Sequence, residues 1–269
     1  MLPYGPITEF AIGSFKIQSW GLMVALGFLV GIWLIMYQAK KEGYKREKLL
    51  DLILVIFISA IIGSRVFYVF LFWSEFSGNW LDAFKVWQGG MVFYGGFIFA
   101  ILGWIVYAKV KKLNFWKLAD WGAPALALGL AIGRIGCHLI RDHIGIPTTL
   151  PWGVEFEGVI RHETAMYSVL ANLIIFLLLW FWLRKLKLPT GYLFAIYLIW
   201  YSVTRIIIDF LRAYDLSHAD PRFFASGDFG GMTISQIISL GIVAICLFFL
   251  YRLKKHPVSE DVGLPKLKS

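Results

Sequence analysis

Cysteine is scarce in this sequence, with two among 269 residues. Two cysteines cannot build the disulfide framework that stabilises small secreted domains. The five histidines show no spacing with cysteines or carboxylates that is typical of a metal site. A glycine-rich nucleotide loop is also missing. We therefore expect no metal and no soluble cofactor.

Acidic residues are few as well, 17 against 26 Lys and Arg, which gives a formal net charge of +9. Such a surplus could indicate a nucleic-acid-binding protein, but no recognition motif accompanies it. Most of the basic residues flank apolar segments instead, where they attract anionic lipid head groups. We expect membrane lipids as partners and no nucleic acid.

Apolar residues are abundant: 59% of the chain is hydrophobic and the mean hydropathy is +0.70. Apolar runs of about 20 residues are long enough to cross a bilayer as helices. The sequence therefore predicts an all-α polytopic membrane protein with seven transmembrane helices. These lie near Trp20–Ala39, Leu49–Trp73, Gly90–Ala108, Leu118–Leu139, Met166–Leu183, Tyr192–Leu211 and Ile234–Leu250.

The basic residues predict the orientation, because Lys and Arg concentrate in cytoplasmic connections. They cluster in alternate connections: 40–48, 109–117, 184–187 and 252–268. This pattern places the N-terminus outside and the C-terminus in the cytoplasm. We expect one membrane domain over residues 1–253 and a flexible cytoplasmic tail over 254–269, because the chain turns polar there.

Two of the outer connections, residues 140–165 and 212–233, are too long to be simple turns. Loops of this length in a compact bundle are usually functional. We therefore expect extracytoplasmic loops that contribute to function.

An arginine stands near the end of the fourth predicted span, in Gly133-Arg134-Ile135-Gly136-Cys137. A charged group at membrane depth costs a few kcal/mol, so it generally faces a polar cavity or a partner. We expect Arg134 to bind an anion. In the same span Ala125, Gly129 and Gly133 recur every four residues, which lets another helix approach closely.

The sixth span carries Arg205, Asp209 and Arg212, spaced to share one helix face. They form either an internal ion-pair ladder or a phosphate site, since Asp209 can neutralise only one arginine and arginine binds phosphate through its forked donors. Arg65 in the second span has the same two alternatives, a structural pair or a ligand contact.

Tyr94 lies between the glycine pairs Gly89-Gly90 and Gly95-Gly96 at the start of the third span. Tyrosine at such a depth often belongs to the interfacial aromatic belt. The four glycines permit close approach of a ligand or a helix, however, so Tyr94 is also a candidate acid, base or phosphate donor.

Taken together, these residues resemble the bacterial phosphatidylglycerol:prolipoprotein diacylglyceryl transferases, along most of the chain from Trp20 to Gln236. The most specific match is Gly133-Arg134-Ile135-Gly136 followed by Asp142, Gly145 and Pro147-Thr148, then Arg161-His162 and Tyr167. Supporting matches are the glycine pairs around Tyr94, Asp120, and the segment from Arg205 to Asp215.

The resemblance implies transfer of a diacylglyceryl group from phosphatidylglycerol to the lipobox cysteine of an exported prolipoprotein, with release of glycerol 1-phosphate. It implies a multi-pass protein of the bacterial cytoplasmic (inner) membrane whose active site faces outward. The implied catalytic residues are Arg134, Arg212, Tyr94 and Asp142, and the implied phosphatidylglycerol-binding residues are Arg134, Arg65, Arg205, Gly133, Gly136, Gly145, His162 and Tyr167.

The chain departs from the family pattern at several of these positions. Tyr94 replaces a frequent histidine, Cys137 a frequent asparagine, and Asp142 the usual glutamate, so the general base is left open. Where the family has proline after Arg161-His162, this chain has Glu163; His162 is either a base or a structural residue held by Glu163. Two alternatives therefore stay open: a paralogous phospholipid-dependent transferase with another acceptor or head group, and a non-catalytic lipid-binding protein or transporter.

Overall fold

The computed structural model describes residues 5–13, 15–76, 78–86, 89–186, 188–216, 221–224 and 231–255. Its helices are α1 Ser19–Lys41, α2 Arg46–Leu71, α3 Trp73–Phe76, α4 Phe93–Val110, α5 Phe115–Leu139, α6 Thr164–Leu177, α7 Tyr192–Phe210 and α8 Ile234–Lys255. After α6 the helix continues as a π-helical segment Leu178–Trp182 and a 3-10 turn Leu183–Lys185.

Among the described residues, six helices are long and apolar enough to cross a membrane: α1, α2, α5, α6 with its continuation, α7 and α8. The third predicted span corresponds to α4, which is apolar but shorter. Large apolar side chains on these helices are strongly exposed, for example Phe70 at 79% and Ile245 at 69%, as a lipid solvent requires. The prediction of a helical polytopic membrane protein is confirmed, while the count of seven spans and the orientation stay predictions.

The chain separates into two compact units. The first contains the described residues up to Ile35 and those from Ala119 onward; the second contains residues 36–118. The expectation of a single membrane domain stays a prediction. Of the predicted tail, Lys254 and Lys255 belong to α8, and residues 256–269 lie outside the described residues.

In the second unit, glycine residues allow α2 and α4 to pack closely. A Cβ on Gly95 would lie 2.5 Å from the Cβ of Phe67, and one on Gly96 would lie 3.0 Å from the carbonyl oxygen of Ala60. A larger side chain at Gly95 would therefore push the helices apart. The glycines that flank Tyr94 on its C-terminal side allow close helix packing.

In the first unit, α1 and α5 cross at a pair of glycines. A Cβ on Gly27 would lie 2.5 Å from the carbonyl oxygen of Gly129, and one on Gly31 would lie 3.6 Å from that of Ala125. The prediction that the small-residue stripe of the fourth span admits another helix is confirmed. The partner is α1, in which Gly27 and Gly31 are four residues apart.

The core of the first unit forms where α6 and its π-helical continuation meet α5 and α7. Ile175, Leu179 and Tyr197 are at most 3% exposed and pack with Ala123 and Ala127. Asp120 of α5 accepts hydrogen bonds from the backbone N–H groups of Gly191 and Phe194, at 2.6 and 2.9 Å. This carboxylate satisfies N–H groups that the first turn of α7 leaves without helical partners, so the match at Asp120 has a structural explanation.

The described residues form three small antiparallel sheets outside the helices, one before α1 and two in the connections. β1 Glu9–Ile12 pairs with β2 Phe15–Gln18, and β6 Arg222–Phe223 pairs with β7 Met232–Thr233. The connection 140–165 contains β3 Ile144–Pro147, β4 Val154–Phe156 and β5 Val159–Glu163, in the order β3-β5-β4. This connection therefore contains a folded sheet between the end of α5 and the start of α6.

Candidate active site

Asp209 of α7 is the centre of a charged cluster in the first unit. Its side chain is fully buried, and its Oδ1 lies 3.3 Å from Nη2 of Arg205 and 3.6 Å from Nη1 of Arg212. These contacts are ion pairs without hydrogen-bond geometry, while Oδ2 accepts a hydrogen bond from Thr233 at 2.8 Å. The predicted ladder on one helix face is thus present, and it holds two guanidinium groups side by side.

Arg134 contributes a third positive charge from α5. Together with Arg205 it lines a pocket between α5, α6 and α7, whose other lining residues are Ser168, Ala171, Asn172, Tyr201, Thr204 and Ile208. Nη1 of Arg134 lies 3.9 Å from Sγ of Cys137. The structure thus brings Arg134 and Arg205 to one pocket, and Asp209 joins Arg205 to Arg212.

The chain reverses direction directly after α5. Arg141 and His143 both adopt positive φ angles, 54° and 66°, and the backbone N–H of Asp142 donates to the carbonyl oxygen of Cys137 at 2.9 Å. The reversal places Nδ1 of His143 in hydrogen-bonding contact with Nη2 of Arg212 and 3.3 Å from Oδ1 of Asp142. Sequence spacing missed His143, because it becomes part of the cluster only through this turn.

The segment after the reversal is tied to the end of α7. Gly145 forms a bridge with Arg212, and the N–H of Ile146 donates to the carbonyl oxygen of Leu211 at 2.9 Å. A Cβ on Gly145 would lie 2.6 Å from that same oxygen. Only glycine fits here, so the match at Gly145 is explained by the close approach of β3 to the end of α7.

A bidentate ion pair fixes the same region from the other side. Both terminal nitrogens of Arg161 donate to the carboxylate of Asp215, at 2.9 and 2.6 Å. The bonds from Arg161 lower the pKa of Asp215. Nη1 of Arg161 also lies 3.3 Å from the carbonyl oxygen of Gly145. Arg161 of β5 therefore connects β3, through Gly145, to the residues after α7, through Asp215.

Comparison with known proteins identifies the family to which the chain is similar. Residues 8–252 match the family model described as prolipoprotein diacylglyceryl transferase. A relative named phosphatidylglycerol--prolipoprotein diacylglyceryl transferase from Bacillus cytotoxicus is 33% identical over 95% of this chain and 94% of its own. Relatives of the same name from Finegoldia magna and Geobacillus kaustophilus are 31% and 35% identical, over 94% and 90% of this chain and 97% and 91% of theirs.

The chain belongs to the prolipoprotein diacylglyceryl transferase family. The predicted membership is therefore confirmed, and it is membership in a family of membrane transferases. The roles of individual site residues stay predictions.

His162 and Tyr167 form a second polar group in the first unit. Nδ1 of His162 lies 2.9 Å from the hydroxyl of Tyr167, which accepts a hydrogen bond from Nε1 of Trp152 at 3.0 Å. Burial lowers the pKa of His162, so its imidazole is predominantly neutral at pH 7. The structure joins these two predicted binding residues to each other and adds Trp152.

Glu163 does not hold His162, and this alternative is wrong. Successive side chains of a strand point to opposite faces, and Oε1 of Glu163 instead lies 3.6 Å from Nδ1 of His138. The side chain is 4% exposed, and neither carboxylate oxygen accepts a hydrogen bond from the described residues. Burial raises the pKa of Glu163 to about 7.

Arg65 belongs to the second unit, where its guanidinium binds backbone carbonyls. Nε donates to Ala83 at 2.7 Å, Nη2 to Asp82 at 2.6 Å, and Nη1 to Gly89 and Gly90 at 2.7 and 3.1 Å. These contacts engage three of its nitrogen atoms and hold the segment before α4, which favours the structural alternative. Its predicted lipid contact stays a prediction.

Tyr94 lies in the first turn of α4, also in the second unit, and is 54% exposed. Its predicted catalytic role stays a prediction. Of the other predicted binding glycines, Gly136 packs tightly on α1, where a Cβ would lie 3.0 Å from Cβ of Met23, while a Cβ on Gly133 would lie 4.0 Å from the nearest atom, in Val24. A side chain at Gly133 would therefore meet α1 only at ordinary van der Waals distance.

Within the described ranges, one group of side chains has the composition of a metal site: the ligand atoms of Cys137, Asp142 and His143 lie within 4.8 Å of one another. Two guanidinium groups already contact it, Arg212 at His143 and Arg134 at Cys137. These positive charges repel a metal cation. We interpret the group as part of the arginine cluster.

Proposed function

We propose that this protein transfers the diacylglyceryl group of phosphatidylglycerol to the thiol of the lipobox cysteine in exported prolipoproteins, the first step of lipoprotein maturation. The observation that carries the proposal is the cluster of Arg134, Arg205 and Arg212 around buried Asp209. Its positive charges outnumber the nearby carboxylates of Asp209 and Asp142. Such a cluster favours a phosphate, and the family membership identifies which phosphate ester to test.

In the proposed reaction, the sulfur of the thiolate attacks the glycerol carbon that carries the phosphate ester. A C–S bond forms, the C–O bond breaks, and its electron pair leaves on the phosphate oxygen of glycerol 1-phosphate. Arginines fixed in a site of low dielectric stabilise that developing charge. Arg134 and Arg212 are the proposed phosphate clamps, and Arg205 supports them.

The thiol must also lose its proton, because its reference pKa is near 8.5. Nearby positive charge increases the thiolate fraction at neutral pH, so the arginine cluster serves the nucleophile as well as the leaving group. Tyr94 and Asp142 are proposed to orient the phosphate or the thiol. The base that receives the proton is left open.

We propose the bacterial cytoplasmic membrane as the location, with the active site on its outer side. Arg134 lies near the C-terminal end of α5, whose first turn carries Lys117. Arg205 lies near the C-terminal end of α7, which follows Arg184 and Lys185. Since basic connections concentrate in the cytoplasm, the arginine cluster lies at the opposite, outer side.

The test is mass spectrometry of a lipobox reporter peptide incubated with purified protein and phosphatidylglycerol. We expect a diacylglyceryl mass gain with the native protein, and at least a 100-fold lower rate for Arg134→Ala and Arg212→Ala, an order of magnitude typical of losing one oxyanion donor. Arg134→Lys should restore little, because lysine keeps the charge without the fork. Arg46→Ala, at the exposed start of α2, is the matched control and should keep full activity.

Three results would change the proposal. An unmodified reporter with verified folded protein would exclude the prolipoprotein activity. Consumption of phospholipid without reporter modification would favour the paralogous transferase. Full activity in both alanine variants would refute the role of the arginines as phosphate clamps.

A further inference from the structure

His143 contacts charged groups of the cluster. The sequence did not predict this residue as part of the site. Nη2 of Arg212 contacts Nδ1 of His143, and Oδ1 of Asp142 lies 3.3 Å from the same nitrogen. The imidazole is 30% exposed. The charges of Arg212, Arg134 and Arg205 all act on it. An imidazole in this position influences whatever Arg212 binds.

The backbone of His143 is fixed in an unusual conformation. Its φ angle is +66°, a region that residues other than glycine seldom adopt. The hydroxyl of Thr164 donates to the carbonyl oxygen of His143, and the next carbonyl, of Ile144, accepts from the N–H of Ala213 at 3.1 Å. The start of α6 and the residues after α7 therefore hold His143 against Arg212.

The contact with Arg212 determines where the imidazole carries its proton. An arginine side chain has only donors and keeps its charge in proteins, so Nδ1 of His143 must be the acceptor. In a neutral imidazole the proton then lies on Nε2. Burial and the nearby arginines, Arg212 first, lower the pKa of His143 to about 3, so the neutral form dominates at pH 7. With Nδ1 occupied and Nε2 protonated, His143 cannot accept the proton of a thiol.

We propose that His143 is a positioning residue, which fixes the Arg212 guanidinium for the phosphate of the lipid by accepting a hydrogen bond at Nδ1. The proposal rests on the proposed function, since it assigns Arg212 to the phosphate of phosphatidylglycerol and its product. It also excludes His143 as the missing general base. Asp142, half-exposed beside Nδ1, balances part of the arginine charge.

Two substitutions separate this role from simple loss of structure. His143→Asn places an amide oxygen where Nδ1 lies, and asparagine tolerates positive φ. His143→Gly removes the acceptor and adds no backbone strain at this φ. Thermal unfolding of both purified variants shows whether each is folded before binding is measured.

The measurement is the affinity of the native protein and both variants for glycerol 1-phosphate, from its inhibition of transfer and from ligand-dependent melting. We expect His143→Gly to weaken binding on the order of tenfold, which is typical of losing a hydrogen bond to a charged group. His143→Asn should stay within about threefold of the native protein. If His143 were the general base, His143→Asn would abolish the fall of kcat/KM at acidic pH. We expect that fall to remain in His143→Asn.

Equal affinity of the native protein and a folded His143→Gly, or loss of the acid limb in His143→Asn, would overturn the positioning role. If His143→Asn weakens binding of glycerol 1-phosphate as much as His143→Gly does, the positioning role is also overturned. If the native protein binds glycerol 1-phosphate but modifies no reporter, the transferase proposal fails while the melting data still decide the role of His143. Absence of binding by the native protein would refute the positioning role directly.

Discussion

Removing the negative charge of Asp209 gives the sharpest test of the arginine cluster. At an effective dielectric constant of about 20, two unit charges at the 3.3 Å that separates Asp209 from Arg205 attract by roughly 5 kcal/mol. The 3.6 Å contact with Arg212 contributes a similar amount. Part of this attraction is offset by the cost of burying the charges, and breaking a buried pair typically costs about 3–5 kcal/mol. We therefore expect Asp209→Asn to destabilise the fold by that amount.

The asparagine variant keeps the shape of the side chain and its contact with Thr233. Any loss of stability can therefore be attributed to the missing negative charge. It should appear as a fall in the melting temperature on the order of 10 °C in detergent. Transfer to a lipobox reporter should fall by more than about tenfold, because Arg205 and Arg212 lose their shared partner and repel each other. The assays are thermal unfolding monitored by tryptophan fluorescence and mass spectrometry of the reporter.

Glu47→Gln is the control for Asp209→Asn, since it removes one negative charge from an exposed position in the first turn of α2. Its effect should stay below about 1 kcal/mol, as for a charge that interacts only with the helix dipole. If Asp209→Asn melts and reacts like the native protein, Asp209 does not balance the two arginines and the electrostatic argument is wrong.

Three further predictions concern other contacts. The folded-state pKa of Glu163 is about 7 against a reference of 4.5. Its contribution to stability is therefore complete below pH 4.5 and is lost as the pH rises through 7. Glu163→Gln should reduce the fall in melting temperature between pH 5.5 and pH 8. Gly27→Ala should destabilise by about 1–3 kcal/mol, because the new Cβ would meet Gly129 at 2.5 Å, as measured by thermal unfolding. Arg65→Lys should destabilise by about 2 kcal/mol or more through lost bonds to carbonyl oxygens, read from the same melting curves.

Matched variants test these three predictions. Gly21→Ala on the same helix has no atom within 4 Å of the added Cβ and should be neutral or slightly stabilising; equal effects at both glycines would contradict the helix-crossing argument. Arg46→Lys is exposed and should melt like the native protein, so an equally stable Arg65→Lys would refute the anchoring role. An unchanged pH slope in Glu163→Gln would show that another group sets it.

Helix periodicity explains what could be predicted from the sequence. The positions of Arg205, Asp209 and Arg212 place them on one helix face by geometry alone, and the structure brings them together. The four-residue repeat ending at Gly133 likewise indicated a close helix contact, which α1 provides at Gly129. Patterns within one element were therefore reliable guides to its partners.

Contacts between elements could not be predicted in the same way. His143 reaches Arg212, 69 residues away, only because the backbone turns back with positive φ after α5. Arg161 of β5 and Asp215, in the residues after α7, pair across 54 residues. One of the two alternatives for His162 paired it with Glu163, its neighbour in sequence, but strand geometry directs Glu163 to His138. Each case depends on a turn or a strand whose direction the local sequence does not specify.

The contacts of Arg65 have a consequence for the order in which the chain enters the membrane. Its carbonyl partners lie 17 to 25 residues further along the chain, so they leave the ribosome about 1–5 s after Arg65 at ordinary rates of synthesis. Until then, α2 alone would carry an unpaired guanidinium, which costs up to about 3 kcal/mol in the bilayer. We therefore expect α2 to insert more favourably together with the following segment and α4 than alone.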